Sequence, residues 1–473
     1  MHEALIQVGS LLAEYRVLLL TAAIALGYAW ALHLVVRGER YLVRTALFLL
    51  FVSALVLRFA AGRDYPPGMN EDEPKVLACA LDALKDKRLH REGCSGIPIL
   101  LNVLFQAQLV PILGPNRESM RFYPAVSGAL SVIAVYGLAR ALRFTVSSAL
   151  VSAALVTFLP WSLYYGRISF GAELTFHQLL LLWALARIVF ANGGGREVIV
   201  AAFGQTLLFY DYFAGRLFFP FCVVALLLAR GWRRLLVCVA AFLAVAAWLP
   251  YLLSEPQHLW APRGQRPNLE IALVWEGVRA VFRSLVWPMA ADGWITVRAA
   301  AVHPVVVLAA AAVGAVAVLR QPRIAAFLLG GFLLGIGPAV GTFPSAHRMI
   351  MAFPFVSLLA AYGLSQLPLS RWRAPLYALF LSIGGFASTC FFFSEEFWPA
   401  NSRAASGAGI TQLVESVPYP ARRKVVVSPG LGYFAAVRTR TDPSDVVPLD
   451  TDNWWPPNAA EAIYLFSGHW EAL

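Results

Sequence analysis

The chain has 473 residues, of which 59% are hydrophobic and 14% are charged, and its formal net charge is +11. Ordinary soluble domains carry about 45–50% apolar and about 25% charged residues, so this composition excludes a soluble globular protein and indicates a membrane protein. The positive charge raises nucleic-acid binding as a function, which has to be weighed against membrane topology.

A membrane-spanning helix needs about 20 mostly apolar residues, and the chain contains about twelve runs of this kind. They are predicted at 17–36, 45–61, 122–142, 146–163, 172–190, 198–211, 215–230, 235–253, 302–319, 324–340, 349–366 and 375–393. The segment 98–113 is apolar too, but a crossing there would invert every later loop. It is therefore predicted to lie in, or dip into, the outer membrane interface.

Arginines in every second connection predict the orientation, because short cytoplasmic loops are rich in basic residues. The first of these connections carries Arg37, Arg40 and Arg44. On this topology the cytoplasmic face holds 14 of the 38 Lys and Arg residues, but only Glu39 and Glu197 of the 27 acids. The positive charge is thus an orientation signal and argues against nucleic acid as a partner.

Three long segments face outside on this topology: 62–121, 254–301 and the tail 394–473, which contains strand-like runs at 424–428 and 462–467. The predicted fold class is an all-α polytopic membrane protein with about 12 transmembrane helices. Interfacial helices lie in its first outer loop. Residues 1–393 form the membrane domain, and 394–473 form a small extracytoplasmic domain of α/β or irregular structure.

Three consecutive acids, Glu71, Asp72 and Glu73, stand in the first outer loop, just before Pro74 and Lys75. Proline suits the first turn of a helix, and acids favour its positive end. A carboxylate at this place accepts a proton from a substrate hydroxyl, which makes it a candidate general base. The alternative, which the pattern alone favours, is that the acids only cap the helix.

Other polar residues stand at shorter outer turns, and their chemistry fits an anionic headgroup together with a hydroxyl nucleophile. They are Arg167 and Glu173, then Asp211 and Arg216, and finally His347 and Arg348. Arginine holds phosphate through paired donors, although an arginine at a helix end also contacts lipid headgroups without further function. Glu173 and His177 are one helical turn apart and would allow a metal site with Asp72, but a polar contact between helices is the more common meaning.

The order of these motifs resembles the GT-C integral membrane glycosyltransferases, in the branch related to dolichyl-phosphate-mannose protein mannosyltransferases and lipid A aminoarabinose transferases. The resemblance covers about residues 44–393. It depends on Glu71-Asp72-Glu73-Pro74, the helix 98–113, Arg121–Gly128, Pro160–Phe170, Tyr210–Arg216 and His347-Arg348. Pro74 directly after the acids, and a first span that looks additional, depart from the family's pattern.

The resemblance implies an inverting transfer of a sugar from a polyprenyl-phosphate donor to an acceptor hydroxyl or amine on the outer face of a bacterial cytoplasmic membrane. It implies Asp72 as general base, while the proposed substrate-binding residues are Glu71, Glu73, Lys75, Arg167, Glu173, Asp211, Arg216, His347 and Arg348. The acceptor is a lipid, glycan or protein. No cofactor is firmly implied; a divalent metal is allowed but unsupported.

Two questions stay open at the level of the sequence. The first is whether the chain is a transporter or flippase for a lipid-linked sugar. Transporters usually place ionisable residues near the bilayer midplane, whereas the charged residues here cluster at the outer face. The second is whether Cys79 and Cys94 form a disulfide or remain two free thiols beneath the interfacial helix.

Overall fold

The structure is a computed structural model. It describes residues 2–60, 72–86, 100–114, 117–168, 171–211, 213–216, 218–254, 275, 278–279, 281, 304–340, 346–367, 373–392, 424–427, 446–448 and 462–465. Most of these residues are helical, as the apolar composition predicts, because a chain in lipid must satisfy its backbone polar groups within each segment.

The helices are α1 His2–Val36, α2 Tyr41–Phe59, α3 Asp72–Asp86, α4 Leu100–Leu113, α5 Arg117–Ala141, α6 Val146–Phe158, α7 Pro160–Tyr165, α8 Ala172–Phe190, α9 Gly195–Asp211, α10 Phe213–Arg216, α11 Phe221–Leu228, α12 Arg233–Ser254, α13 Val305–Val318, α14 Pro322–Val340, α15 Phe353–Gln366, α16 Arg373–Leu381 and α17 Ala387–Phe392. A 3-10 helix, Ala346–Ala352, precedes α15, and a π-helical turn, Ser382–Phe386, separates α16 from α17.

Helix α8 is the centre of the bundle. Its apolar span is 94% buried, against 17% for the span of α2. It packs against α5 and α9, whereas α2 exposes Leu42, Phe48 and Leu49. Apolar side chains exposed on a helix of this kind are what a lipid-facing surface requires.

Six helical segments in the described part of the chain are long and apolar enough to cross a membrane. They are Val17–Val36, Tyr41–Phe59, Glu118–Ala141, Glu173–Phe190, Pro322–Val340 and Met349–Gln366. Shorter apolar helices stand at Leu101–Leu113, Val146–Phe158 and Val305–Val318. The chain is thus a multi-pass membrane protein, and the total of about twelve spans stays a prediction.

Prolines divide two of the predicted runs into shorter helices. Between α6 and α7, Leu159 is extended, with φ −68° and ψ 140°, and Pro160 begins the next helix. The residue before a proline is disfavoured in the helical region, so the run 146–163 breaks here. Pro220 likewise stands just before α11, within the run 215–230.

Helix α4 is enclosed by protein over most of its length, and the prediction that 98–113 lies in, or dips into, the outer membrane interface stays a prediction. Leu104, Ala107, Asn102 and Gln106 are fully buried, and α4 packs against α1, α3, α5 and α9. Its C-terminal end is exposed at Ile112. The sequence shows that the helix is apolar but does not show which neighbours cover it.

Helices α13 and α15 pack so closely that their backbone atoms are in contact. A Cβ atom built on Gly314 would lie 1.9 Å from the Leu359 carbonyl oxygen, and one on Gly363 would lie 2.2 Å from the Ala310 carbonyl oxygen. Small residues at helix interfaces allow this kind of packing in membranes.

Three strands are described in the C-terminal tail: β1 Lys424–Val427, β2 Val446–Pro448 and β3 Ala462–Leu465. They form a parallel sheet in the order β2-β1-β3, in which Val425 pairs with Val446 and with Ile463. Strands β1 and β3 coincide with the two strand-like runs in the sequence, whereas β2 was not predicted. The proposed boundary at residue 394 lies outside the described residues.

Cys79, in α3, is disulfide-bonded, whereas Cys222, Cys238 and Cys390 are free thiols. Cys94, the other cysteine of the proposed bridge, lies outside the described residues. A disulfide in α3 is consistent with an oxidising compartment around the first large loop.

Candidate active site

The proposed general base stands at the start of α3. Asp72 is the first residue of this helix and Lys75 lies in its first turn. The side chains of Asp72 and Lys75, and the whole of Glu71, lie outside the described residues. The positive end of the helix dipole favours a carboxylate at this position, so the local structure suits both an anionic base and a cap.

A buried ion pair fixes the first turn of α3 to the start of α5. Arg121 Nε donates to Glu73 Oε1 at 2.9 Å, and Arg121 Nη2 donates to Glu73 Oε2 at 3.0 Å. The Glu73 side chain is 0% exposed and that of Arg121 is 7% exposed. Paired donors of this kind are strong and directional. Glu73, predicted to bind substrate, is therefore engaged in a structural contact, and the next residue along from Asp72 is held in place.

Arg167 is buried against the C-terminal end of α2, where it donates to the carbonyl oxygens of Leu57 and Ala60. Burial, together with the positive charges of Arg121 and Arg58, lowers the pKa of Arg167 to about 9. Arg167 therefore stays cationic at neutral pH. Its described hydrogen bonds cap the end of helix α2. Arg167 is also only 1% exposed, unlike an arginine that binds phosphate at the surface.

Four residues from four helices form a hydrogen-bonded chain inside the bundle. The Tyr28 hydroxyl lies 2.6 Å from His177 Nε2 and 2.9 Å from the Tyr123 hydroxyl. His177 Nδ1 lies 3.2 Å from Asp211 Oδ2. One tautomer serves both His177 contacts, with Nδ1–H donating to Asp211 and Nε2 accepting from Tyr28. The polar contact between helices that the sequence suggested for His177 is therefore present, with Asp211 and Tyr28 as its partners.

Glu173 lies one helical turn before His177 and belongs to the same buried region. Its Oε1 atom accepts hydrogen bonds from Asn102 Nδ2 at 3.1 Å and from the Gly171 backbone N–H at 3.2 Å. Two buried carboxyl oxygens, Glu173 Oε2 and Asp211 Oδ1, accept no hydrogen bond from the described residues. Unsatisfied buried oxygens cost about 1–3 kcal/mol each, so this region is a candidate for binding or proton transfer.

The described residues contain no group of three or more His, Cys, Asp or Glu side chains arranged to hold a metal ion. Of the three residues that the sequence suggested as metal ligands, Glu173 and His177 lie in the buried region, whereas the side chain of Asp72 is not described. The described residues therefore do not support the hypothesis of a metal site.

The remaining residues predicted to bind substrate are Arg216, His347 and Arg348, which lie on other helices than the residues of the buried region. Arg216 is half-buried; its Nε donates to the Phe209 carbonyl at 3.1 Å and its guanidinium lies 4.7 Å from the centre of the Phe209 ring. That ring stacks on Trp248 at 4.4 Å. The backbones of His347 and Arg348 lie in the 3-10 helix before α15, and their side chains are not described.

Sequence reasoning missed three polar residues of the buried region, namely Tyr28, Asn102 and Tyr123. Each lies within an apolar run, which is the one signal that the sequence offered. A polar side chain inside a membrane span usually faces a partner within the protein. Which partner it faces depends on contacts such as Tyr28 to His177, which are 149 residues apart.

No protein-family model and no curated protein sequence matches the chain. Solved structures do. ArnT from Cupriavidus metallidurans in the apo state aligns with a TM-score of 0.52 at 14% identity, covering 86% of this chain and 90% of ArnT. The same protein bound to undecaprenyl phosphate gives 0.51 at 14% identity, with 85% and 89% covered.

The apo oligosaccharyltransferase of Archaeoglobus fulgidus aligns with a TM-score of 0.50 at 15% identity. The alignment covers 88% of this chain but only 65% of the oligosaccharyltransferase, so the chain spans about two thirds of that protein. These likenesses show that the chain shares the fold of these two proteins, as the resemblance stated from the order of the motifs predicts.

Proposed function

We propose that the chain is an inverting glycosyltransferase that moves a sugar from a polyprenyl-phosphate donor to an acceptor hydroxyl or amine, with Asp72 as general base. The observation that carries the proposal is the Glu73–Arg121 ion pair, because it is buried and bidentate and fixes the turn that begins with Asp72. A base has to be held within hydrogen-bond reach of the acceptor, and a rigid helix start meets that requirement.

In this reaction the Asp72 carboxylate takes the proton of the acceptor hydroxyl as the acceptor oxygen bonds to the anomeric carbon. The bond from that carbon to the phosphate oxygen breaks on the opposite face, and the polyprenyl phosphate leaves with the electron pair. Negative charge develops on the phosphate and requires cationic donors. Lys75, Arg216, His347 and Arg348 are the proposed donors, since Arg167 is occupied at the end of α2.

We place this site on the outer face of a bacterial cytoplasmic membrane, within a catalytic domain at 1–393 and beside a smaller domain at 394–473. The disulfide at Cys79 supports the location, because disulfides persist in oxidising compartments. The fold shared with ArnT, which has been solved with undecaprenyl phosphate, supports the donor class. Glu173 and Asp211 are proposed to bind substrate from the buried region that also contains His177.

The test is sugar transfer by purified protein in lipid vesicles that contain radiolabelled polyprenyl-phosphate sugars. Asp72→Asn is expected to lower turnover by about 10²–10⁴-fold, because it removes the base without changing the shape of the side chain. Asp82→Asn, on the same helix, is the matched control and should keep its activity. Full turnover by Asp72→Asn would show that another group is the base.

A second candidate is a transporter for a lipid-linked sugar, and the buried region around Glu173, His177 and Asp211 favours it. Ionisable residues inside a helix bundle mark transport or proton pathways in many membrane proteins. The same vesicles test it: movement of intact donor across the bilayer without transfer, abolished by Asp211→Asn, would favour transport over catalysis.

A further inference from the structure

Arginines from separate connections converge on the C-terminal end of α8. Arg143, after α5, donates from Nη2 to the Phe190 carbonyl at 2.9 Å. Arg233, at the start of α12, donates from Nη1 to the Val189 carbonyl at 3.0 Å. The guanidinium of Arg323, at the start of α14, lies 5.3 Å from the centre of the Phe190 ring. Segments that are distant in sequence thus deliver positive charge to one place.

The charges act on one another. Arg230, Arg233 and Arg143 all lie near enough to Arg323 to repel its positive charge. We call Arg143, Arg230, Arg233 and Arg323 the arginine cluster. Like charges gathered in this way destabilise the folded protein unless an anion lies among them.

The acids of the same face do not neutralise the cluster. Glu39 pairs with Arg140 at 3.2 Å, and Glu197 pairs with Arg187 at 3.6 Å. Among the described residues, no carboxylate forms an ion pair with any member of the arginine cluster. A guanidinium has five N–H donors, and the described contacts of Arg143 and Arg323 each use one of them.

Backbone strain at Arg143 is a second, independent observation. Arg143 has a φ of +67° in the turn that ends α5, where the Phe144 N–H bonds back to the Ala139 carbonyl. Glycine is the usual residue at this position of a helix end. A left-handed conformation costs an arginine about 1–2 kcal/mol, and strain of this kind often marks a functional position.

Trp232 indicates where the cluster lies relative to lipid. It stands between Arg230 and Arg233 and is 62% exposed. Tryptophan is enriched at the level of the lipid headgroups, and basic pockets between helix ends bind phosphate-bearing headgroups. We propose that the arginine cluster binds a phosphate group supplied by an anionic lipid, on the face that the sequence predicts to be cytoplasmic.

The experiment compares thermal unfolding in phosphatidylcholine vesicles with and without phosphatidylglycerol. The anionic lipid is expected to raise the Tm of the wild type. The double variant Arg230→Gln/Arg323→Gln should lose most of that rise. Arg40→Gln/Arg44→Gln, with the same charge loss in the first connection, is the matched control and should keep it. Native mass spectrometry should show less phosphatidylglycerol retained by the first variant than by the control.

Arg230→Gln alone keeps the proposal testable if the double variant fails to fold, because the Arg230 side chain forms no hydrogen bond with another described residue. It should lose part of the rise in Tm. Equal rises in wild type and cluster variants would overturn the proposal. An equal rise with inorganic phosphate in pure phosphatidylcholine would overturn the lipid as the source of the phosphate.

Discussion

The two ends of α8 carry ionisable side chains of different kinds, which are buried at the N-terminal end and exposed or half-buried at the C-terminal end. At the N-terminal end Glu173 and His177 are buried and bonded to fixed partners. At the C-terminal end Arg187 and the arginine cluster are exposed or half-buried, and the other members of the cluster repel the charge of Arg323. Acids at the start and bases at the end of a helix both suit its dipole. The comparison shows that the dipole explains the sign of the charge, whereas burial determines what the charge contributes.

The largest difference in unfolding free energy is expected between breaking the buried Arg121–Glu73 ion pair and breaking the more exposed Arg187–Glu197 ion pair. Arg121→Gln removes one partner of the buried pair and leaves Glu73 uncompensated, so unfolding free energy should fall by about 3–5 kcal/mol. Arg187→Gln breaks the pair with Glu197, whose side chains are 39% and 15% exposed, and should cost at most about 1 kcal/mol. Unfolding in mixed micelles measures both, and equal losses would contradict the comparison.

The double variant Arg121→Met/Glu73→Gln sharpens the same point. It removes both charges, so it should be more stable than Arg121→Gln, because most of the cost of breaking a buried pair comes from the charge left behind. It should still lower sugar transfer if the pair holds the turn of Asp72 in place. Normal transfer with lowered stability would mean that the pair serves the fold alone.

An intermediate effect is expected at Tyr28, which links the additional first helix to the buried region. Tyr28→Phe removes the hydroxyl that lies between His177 and Tyr123 and should lower unfolding free energy by about 1–3 kcal/mol. Tyr41→Phe is the matched control, because Tyr41 is 81% exposed. If both variants unfold alike, the hydroxyl contacts of Tyr28 do not contribute to stability.

These contacts mark where sequence reasoning succeeds and where it stops. The arginines in every second connection predicted one basic face, but not that Arg143, Arg233 and Arg323 meet at the end of one helix. The acids predicted that a helix begins at this place, yet the pairing of Glu73 with Arg121 was missed. Apolar periodicity and charge counts are local, whereas these pairs depend on helices brought together from distant parts of the chain.

The smallest effect is expected at Arg143, at the exposed end. Arg143→Gly relieves the left-handed conformation but loses the hydrogen bond to Phe190, and two terms of about 1 kcal/mol nearly cancel. Arg143→Ala loses the bond and keeps the strain, so it should be less stable than Arg143→Gly by about 1 kcal/mol. Both variants should lose the lipid-dependent rise in Tm to the same extent.

The variants Arg143→Gly and Arg143→Ala separate the contribution of this residue to stability from its contribution to lipid binding. At the buried end, a change that lowers binding or transfer is expected to lower stability as well, because the same contacts serve both. At Arg143 the glycine variant is expected to keep the stability of the wild type and still respond less to phosphatidylglycerol. Equal stability of the glycine and alanine variants would show that no strain is held at this turn, whereas an undiminished rise in Tm in both variants would show that Arg143 takes no part in binding the lipid.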